Sequence, residues 1–386
     1  MKKNQEKNDI TNKYEPKKKQ NLKFANYIKP FVSDKMLDLI LNCSTFMEFL
    51  VNEAKDKMKL HKINGCKNRF CPLCAYREAH NTALLLMTLM HAMIEEKNYE
   101  FLFLTLTVPN VKGNELSHAL DEMNKGVKRL FQRKQLKTAI EGYVRKLEIT
   151  RDNDQTISKR RYNKNKNYYQ KRNIQVGDVN PNYDTYHPHM HFLIAVKKSY
   201  FKKNYLSQKE FLKLWRQSMR MTGVNEDGTD EIVALDVRKV NLNKPRKAIQ
   251  EVSKYTAKDS DMLVSQEVFE VFYKSLKGRQ LIVYNGVFKE YVKRYKAGEL
   301  EEYKEKDDVK YAYLLLARWN PEYLKYEQEL QPLTKEKLEA IELEEKHKKE
   351  KVLINQLEAE KERKEFRDDM NKISKLTLEE KKKLKH

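Results

Sequence analysis

Phe101-Leu102-Phe103-Leu104-Thr105-Leu106-Thr107-Val108, closed by Pro109-Asn110, is the run on which the fold turns. It is apolar along its length, with threonines at 105 and 107, and reads as a buried strand in the middle of a sheet. Upstream, Glu78 to Glu96 crowds apolar residues into a helical pattern. Downstream, Glu115 to Ile140 has helical periodicity, and Gly142 leads into a second strand, Tyr143 to Thr150. A third strand is expected at His189 to Val196, a helix near Ser207 to Met221 and a fourth strand near Ile232 to Val240. Pro245, suited to a first helical turn, opens a helix over Arg246 to Lys258, and Leu281 to Tyr284 is a candidate last strand. The order β-α-β-β-α-β-α predicts an α+β fold, a sheet covered by helices on one face.

Around this core, at 81–290, the composition changes. Residues 1–30 are polar and Lys-rich and are expected to form a disordered basic arm. Residues 31–80 hold all four cysteines and read as a small, loop-rich module. Residues 151–186 are rich in Lys, Arg, Asn and Tyr, a mobile basic insertion between two strands. Residues 291–386 read as a charged, helical C-terminal region. With 78 Lys and Arg against 56 Asp and Glu, the 386-residue chain carries a formal charge of +22, which favours a polyanionic partner, nucleic acid first. No stretch approaches the ~20 apolar residues of a membrane span. The first twenty residues lack the apolar segment of a secretory signal, so a reducing cytoplasm is expected.

Three histidines fall within five residues, His187-Pro188-His189-Met190-His191. On a strand, 189 and 191 project from the same side, offering two imidazoles to one point. Glu148 alternates with Leu147 and Ile149; if the second and third strands pair, its carboxylate can stand beside both histidines. Two imidazoles and a carboxylate suit a divalent metal with positions left for substrate oxygens, or simply an exposed polar strand face. Cys71-Pro72-Leu73-Cys74 has the CxxC knuckle spacing, Cys66 adds a third thiolate, and Cys43 or His61 a fourth ligand for structural zinc. On the predicted helix, Glu251, Tyr255 and Lys258 fall in a row one turn apart, a pattern shared with ordinary surface ion pairs.

In order, Phe103 to Val108, His187 to Ile194 and Glu251 to Lys258 (Glu-Val-Ser-Lys-Tyr-Thr-Ala-Lys) resemble the motifs of HUH endonucleases. Within them the chain is similar to the rolling-circle replication initiators of plasmids from Gram-positive bacteria, whose upstream cysteine segment resembles Cys66 to Cys74. The resemblance spans about Cys43 to Tyr284 and implies a mainly antiparallel central sheet flanked by helices. It further implies Mg2+ or Mn2+ on His189 and His191, with Glu148 as third ligand. Tyr255 would attack a phosphodiester of the plasmid origin, single-stranded or extruded there, to leave a 5′-phosphotyrosine and a free 3′-OH. Glu251 would activate water to end the cycle, Lys258 would hold phosphate or ease phenolate formation, and a host helicase and replication machinery would follow. A zinc-dependent DNA-binding regulator without catalysis, a non-haem iron oxygenase, and an HUH transposase or relaxase are the competing readings.

Overall fold

A computed structural model of the chain describes residues 10–350 except 204, 225–231, 233–234, 254–256, 345 and 348–349. Among them, five strands form an antiparallel sheet in the order β6-β3-β5-β4-β7. These are β3 (Tyr99–Thr107), β4 (Ile140–Arg151), β5 (Tyr186–Lys197), β6 (Asp236–Lys239) and β7 (Ile282–Gly286). Strand β5 is central, with Leu104 of β3 opposite Phe192 and Leu147 of β4 opposite Met190. The class is therefore α+β, with antiparallel sheets flanked by helices.

Helices cover both faces of this sheet, where one was expected. Leu102, Leu104, Leu147, Met190, Phe192 and Ile194 pack on one side against α4 (Leu116–Phe131), α5 (Gln208–Met219) and α7 (Gln266–Leu276). Phe101, Phe103, Val144, Leu193 and Ala195 pack on the other against α3 (Pro72–Lys97), α6 (Arg246–Ser253) and α8 (Val287–Lys296). Burying a side chain of this size is worth roughly 1.5–3 kcal/mol, so both layers hold the sheet. On the first face Gly126 lets α4 and α5 touch: a Cβ there would collide with Met219 Sδ and lie 3.1 Å from Trp215. Trp215 in turn donates its indole N–H to the Thr107 carbonyl at 2.7 Å, pinning α5 to the end of β3.

A second, four-stranded antiparallel sheet has the order β2-β1-β8-β9, from β1 (Phe46–Asn52), β2 (Met58–Ile63), β8 (Tyr311–Asn320) and β9 (Lys325–Pro332). The charged, helical reading of 291–386 thus fails over 311–332. The short apolar run Leu314–Ala317 is buried against β1, with Leu315 opposite Phe49. The disordered reading of 1–30 fails over 10–30, residues 1–9 lying outside the described residues. Ile10–Ile28 is a helix, α1, and buries Ile10, Phe24, Ala25 and Ile28. Those apolar residues recur at helical spacing between lysines. A further short helix, α2, spans Asp34–Leu41, its start capped by the Ser33 hydroxyl.

The 151–186 insertion is folded. Asp152 accepts from both Arg161 terminal nitrogens and from Asn180 Nδ2, over a small core of Ile157 and Tyr169. The helix expected over Arg246 to Lys258 does not reach Lys258. Ala257 and Lys258 are non-helical, and the Lys258 carbonyl caps a separate turn, Asp259–Met262, through the Asp261 and Met262 amides. Asp259 and Ser260 are residue types that favour helix starts over helix interiors.

Candidate functional site

Strand pairing assembles the site. Glu148 lies directly opposite His189 across the β4–β5 ladder, and Thr105 and Thr107 of β3 lie opposite His191 and His189 on the other side. Because side chains alternate, all five, together with Lys146, face the layer that holds α6. His191 Nε2 is 2.7 Å from Glu148 Oε2, and Nδ1 is 3.0 Å from Thr105 Oγ1. Nε2–H donates to the Glu148 carboxylate while Nδ1 accepts from the Thr105 hydroxyl; in the other tautomer, with Nδ1–H donating to Thr105, the Nε2 lone pair would be free for an ion shared with Glu148. Phe103 stacks beneath the His191 ring at 5.7 Å and fixes its plane. Both polar partners are nearly sealed, at 6% exposure for His191 and 8% for Glu148.

Helix α6 crosses β4 and β5 with Ala248, Ile249 and Val252 buried, and this packing turns Glu251 toward the strands. Glu148, His191 and Glu251 each bring one donor atom within 4.8 Å of the others. His189 stands alongside rather than within this tight group, its ring parallel to that of His191 at 6.1 Å and 4.1 Å from that of His187. Burial holds His187 below the usual histidine range. Tyr255 lies outside the described residues. Lys258 is exposed and off the helical row that the sequence predicts. One imidazole and two carboxylates form a hard-to-borderline donor set compatible with Mg2+ or Mn2+.

No sequence pattern marks Thr105 or Lys146 as a site residue. The threonine reads as a β-former there, and only its register opposite His191 gives it work. Lys146 pairs with His191 in the ladder, and burial pulls its ammonium down to about 8.

The cysteines converge elsewhere. Cys71 caps α3 and Cys74 lies in its first turn, while the left-handed backbone of Lys67 (φ 59°) turns Cys66 toward them. Cys43 Sγ is 3.6 Å from both Cys74 and Cys71 Sγ, and Cys66 Sγ is 3.6 Å from Cys74 Sγ. Four sulfurs at ~2.3 Å from a tetrahedral centre would be spaced at close to this distance. Among the described residues the cysteines are free thiols, not disulfides. His61 is on β2, its Nε2 3.9 Å from Glu344, so Cys43 is the fourth member of the cluster. Above it, the fully buried Lys18 of α1 donates to the carbonyls of Leu41 (2.7 Å) and Cys43 (2.8 Å). Burial lowers the Lys18 ammonium's pKa and the nearby cysteine sulfurs oppose that fall, while Asn21 Nδ2 donates to Cys71 Sγ at 3.4 Å.

The sequence profile of a family described as replication protein matches residues 57–327. A Rep protein of Staphylococcus aureus is 40% identical over 66% of this chain and 96% of its own length. Rep proteins from a Bacillus species and from Bacillus amyloliquefaciens are 33% and 32% identical over 69% and 74% of this chain and 83% of each relative. The chain belongs to this replication protein family, that of the plasmid replication initiators. No solved structure matches it. No described helix is long and apolar enough to cross a membrane.

Proposed function

We propose that the chain starts plasmid replication by nicking one strand of the origin, in the manner of the HUH endonucleases. The observation that carries this reading is the meeting of Glu148, His191 and Glu251 within 4.8 Å, on two paired strands and the helix α6, with Glu251 four residues before Tyr255 in the sequence. Glu148, His191 and, beside them, His189 would hold Mg2+ or Mn2+, which when bound polarises the scissile phosphate. Tyr255 Oη attacks phosphorus; the new Oη–P bond replaces the P–O3′ bond, and the 3′ oxygen leaves as a hydroxyl once protonated. Glu251 accepts a proton from water when the 5′-phosphotyrosine is hydrolysed at the end of a round. Lys258, three residues after the tyrosine, is assigned to phosphate holding. Thr105 is a positioning residue that sets the His191 tautomer. The four cysteines would hold structural zinc with no position left open for chemistry. Origin DNA extruded as a single strand is the substrate, and a host helicase takes over the 3′-OH complex.

The test is covalent capture on a labelled origin oligonucleotide and relaxation of supercoiled origin plasmid with Mn2+. The parent protein is expected to do both and Tyr255→Phe neither. Origin binding with no metal-dependent cleavage by the parent would instead favour a zinc-dependent DNA-binding regulator.

A further inference from the structure

A cleft of about 660 Å3 lies between the start of α3 with the cysteine loop before it and the β4–β7 edge of the five-stranded sheet. Its walls are lopsided in charge: Lys67, Arg69, Arg77 and Lys146 line it against a single carboxylate, Glu78. The volume falls in the range that encloses a drug-sized ligand, which is room for a nucleotide or two of single strand. Ser253, the last residue of α6 and two residues from Glu251, also lines it, as does Ala257. Lys146 is two residues from Glu148 along β4, about 7 Å, and on the same face. Arg69 Nη1 donates to the Arg279 carbonyl at 2.7 Å, which holds that guanidinium in place. The Arg77 guanidinium lies over Gly65, 3.1 Å from where a Cβ would stand, so the loop is small there to let it pass.

We propose that this cleft is the track by which single-stranded DNA reaches the Glu148–His191–Glu251 group, with Lys146 holding a backbone phosphate beside the group and Lys67, Arg69 and Arg77 holding the neighbouring phosphates. The proposal rests on the nickase reading and extends it. It gives the cysteine module a direct part, as the second wall of the strand channel. Amide side chains of Asn68, Asn81 and Gln280 in the same lining suit sugar and base edges. A flexible backbone with one charge per nucleotide fits a row of spaced cations better than a globular acidic surface does.

The experiment measures binding of a fluorescein-labelled origin single strand by anisotropy across a salt series, using full-length protein carrying Tyr255→Phe so that no cleavage contributes. Against that background, Lys146→Met is expected to weaken binding and to flatten the log K versus log salt slope by about 0.7, the value for one phosphate contact to a single strand. Lys146→Arg should restore most of both. Lys67→Gln, a change at an exposed position, should flatten the slope by a similar step and covers the case in which Lys146→Met does not fold. Equal slopes and affinities for folded Lys146→Met, Lys67→Gln and the background protein would overturn the proposal. If the slopes fall as expected but protein with Tyr255 intact never cleaves, the track stands and the nickase reading falls. If that protein cleaves and the slopes do not move, the reverse holds.

Discussion

At the scale of single residues, the sharpest question is how two glutamates in one group divide the work. The backbone of Glu148 is fixed by the β-ladder opposite His189, and its carboxylate is hydrogen-bonded to His191. Glu251 comes from a helix, α6, and not from the sheet. Glu148→Ala is therefore expected to raise the Mn2+ concentration needed for half-maximal nicking at least 10–100-fold, the loss typical of removing even an outer partner of a metal site. Glu251→Ala should leave that concentration within a few-fold and accumulate the covalent adduct, because hydrolysis stalls. Titrating Mn2+ in a nicking assay and following adduct decay separates the two. A parallel rise in Mn2+ requirement for Glu251→Ala would make it a ligand and not a water activator. The alternation of Leu147, Glu148 and Ile149 against His189-Met190-His191 made the strand half of this group legible in sequence. Thr105 and Lys146 stayed hidden because their role depends on which residue faces them across the ladder, and periodicity carries no register.

At the scale of elements, strands and helices with one strong period were readable. Layers were not, because Glu148, Lys146, His189 and His191 interrupt the apolar pattern on the second face and make it look like a solvent side. The C-terminal strands were masked in the same way by the lysines and glutamates around Leu314–Ala317. One link in the second layer lends itself to a pH test. Glu96, at the end of α3, accepts from both terminal nitrogens of Arg294 on α8 (2.6 and 2.8 Å) and from the Tyr291 hydroxyl at 2.7 Å. These bonds, that from Arg294 foremost, hold its carboxyl at about 2 against an ordinary 4.5. A depressed folded-state pKa means the stabilisation is complete above about 4.5 and is lost as pH falls toward 2. Glu96 is largely solvent-accessible, so screening discounts the pair to about 1 kcal/mol or less. Glu96→Gln is thus expected to unfold at lower urea than the parent at pH 7, the gap closing as the buffer is taken from pH 5 to pH 3. A gap that stays constant would place the cost elsewhere than in the ion pair.

At the scale of the whole molecule, the cysteine cluster is a node where segments distant in sequence meet. Cys43 follows α2, Cys66 follows β2, and Cys71 and Cys74 begin the long α3, whose far end leads directly into β3. Lys18 and Asn21 of α1 close over it, and the Tyr326 hydroxyl of β9 donates to the Ser44 carbonyl at 2.8 Å beside it. The N-terminal helix, the small sheet and the C-terminal hairpin therefore share one anchor, whereas the five-stranded sheet has an apolar layer on each face, the first continuous with the core under the N-terminal helix and the second separate from it. If zinc supplies that anchor, its removal unfolds the parts unequally. Buried thiolates without an ion repel one another, and binding energies of ~10–16 kcal/mol for structural zinc in small domains show how much folding can hang on the ion. Chelation in reducing buffer is expected to speed amide exchange in 10–70 and 311–332 by orders of magnitude, while β3, β4 and β5 keep most of their protection. Hydrogen-exchange mass spectrometry before and after chelation, with zinc released counted by a colorimetric chelator, reads both parts at once. One zinc per chain with that pattern supports the node. Uniform protection after the ion has gone, or four thiols that react at once in the untreated protein, would leave the cluster as packed cysteines whose sulfur spacing has no ligand to explain it.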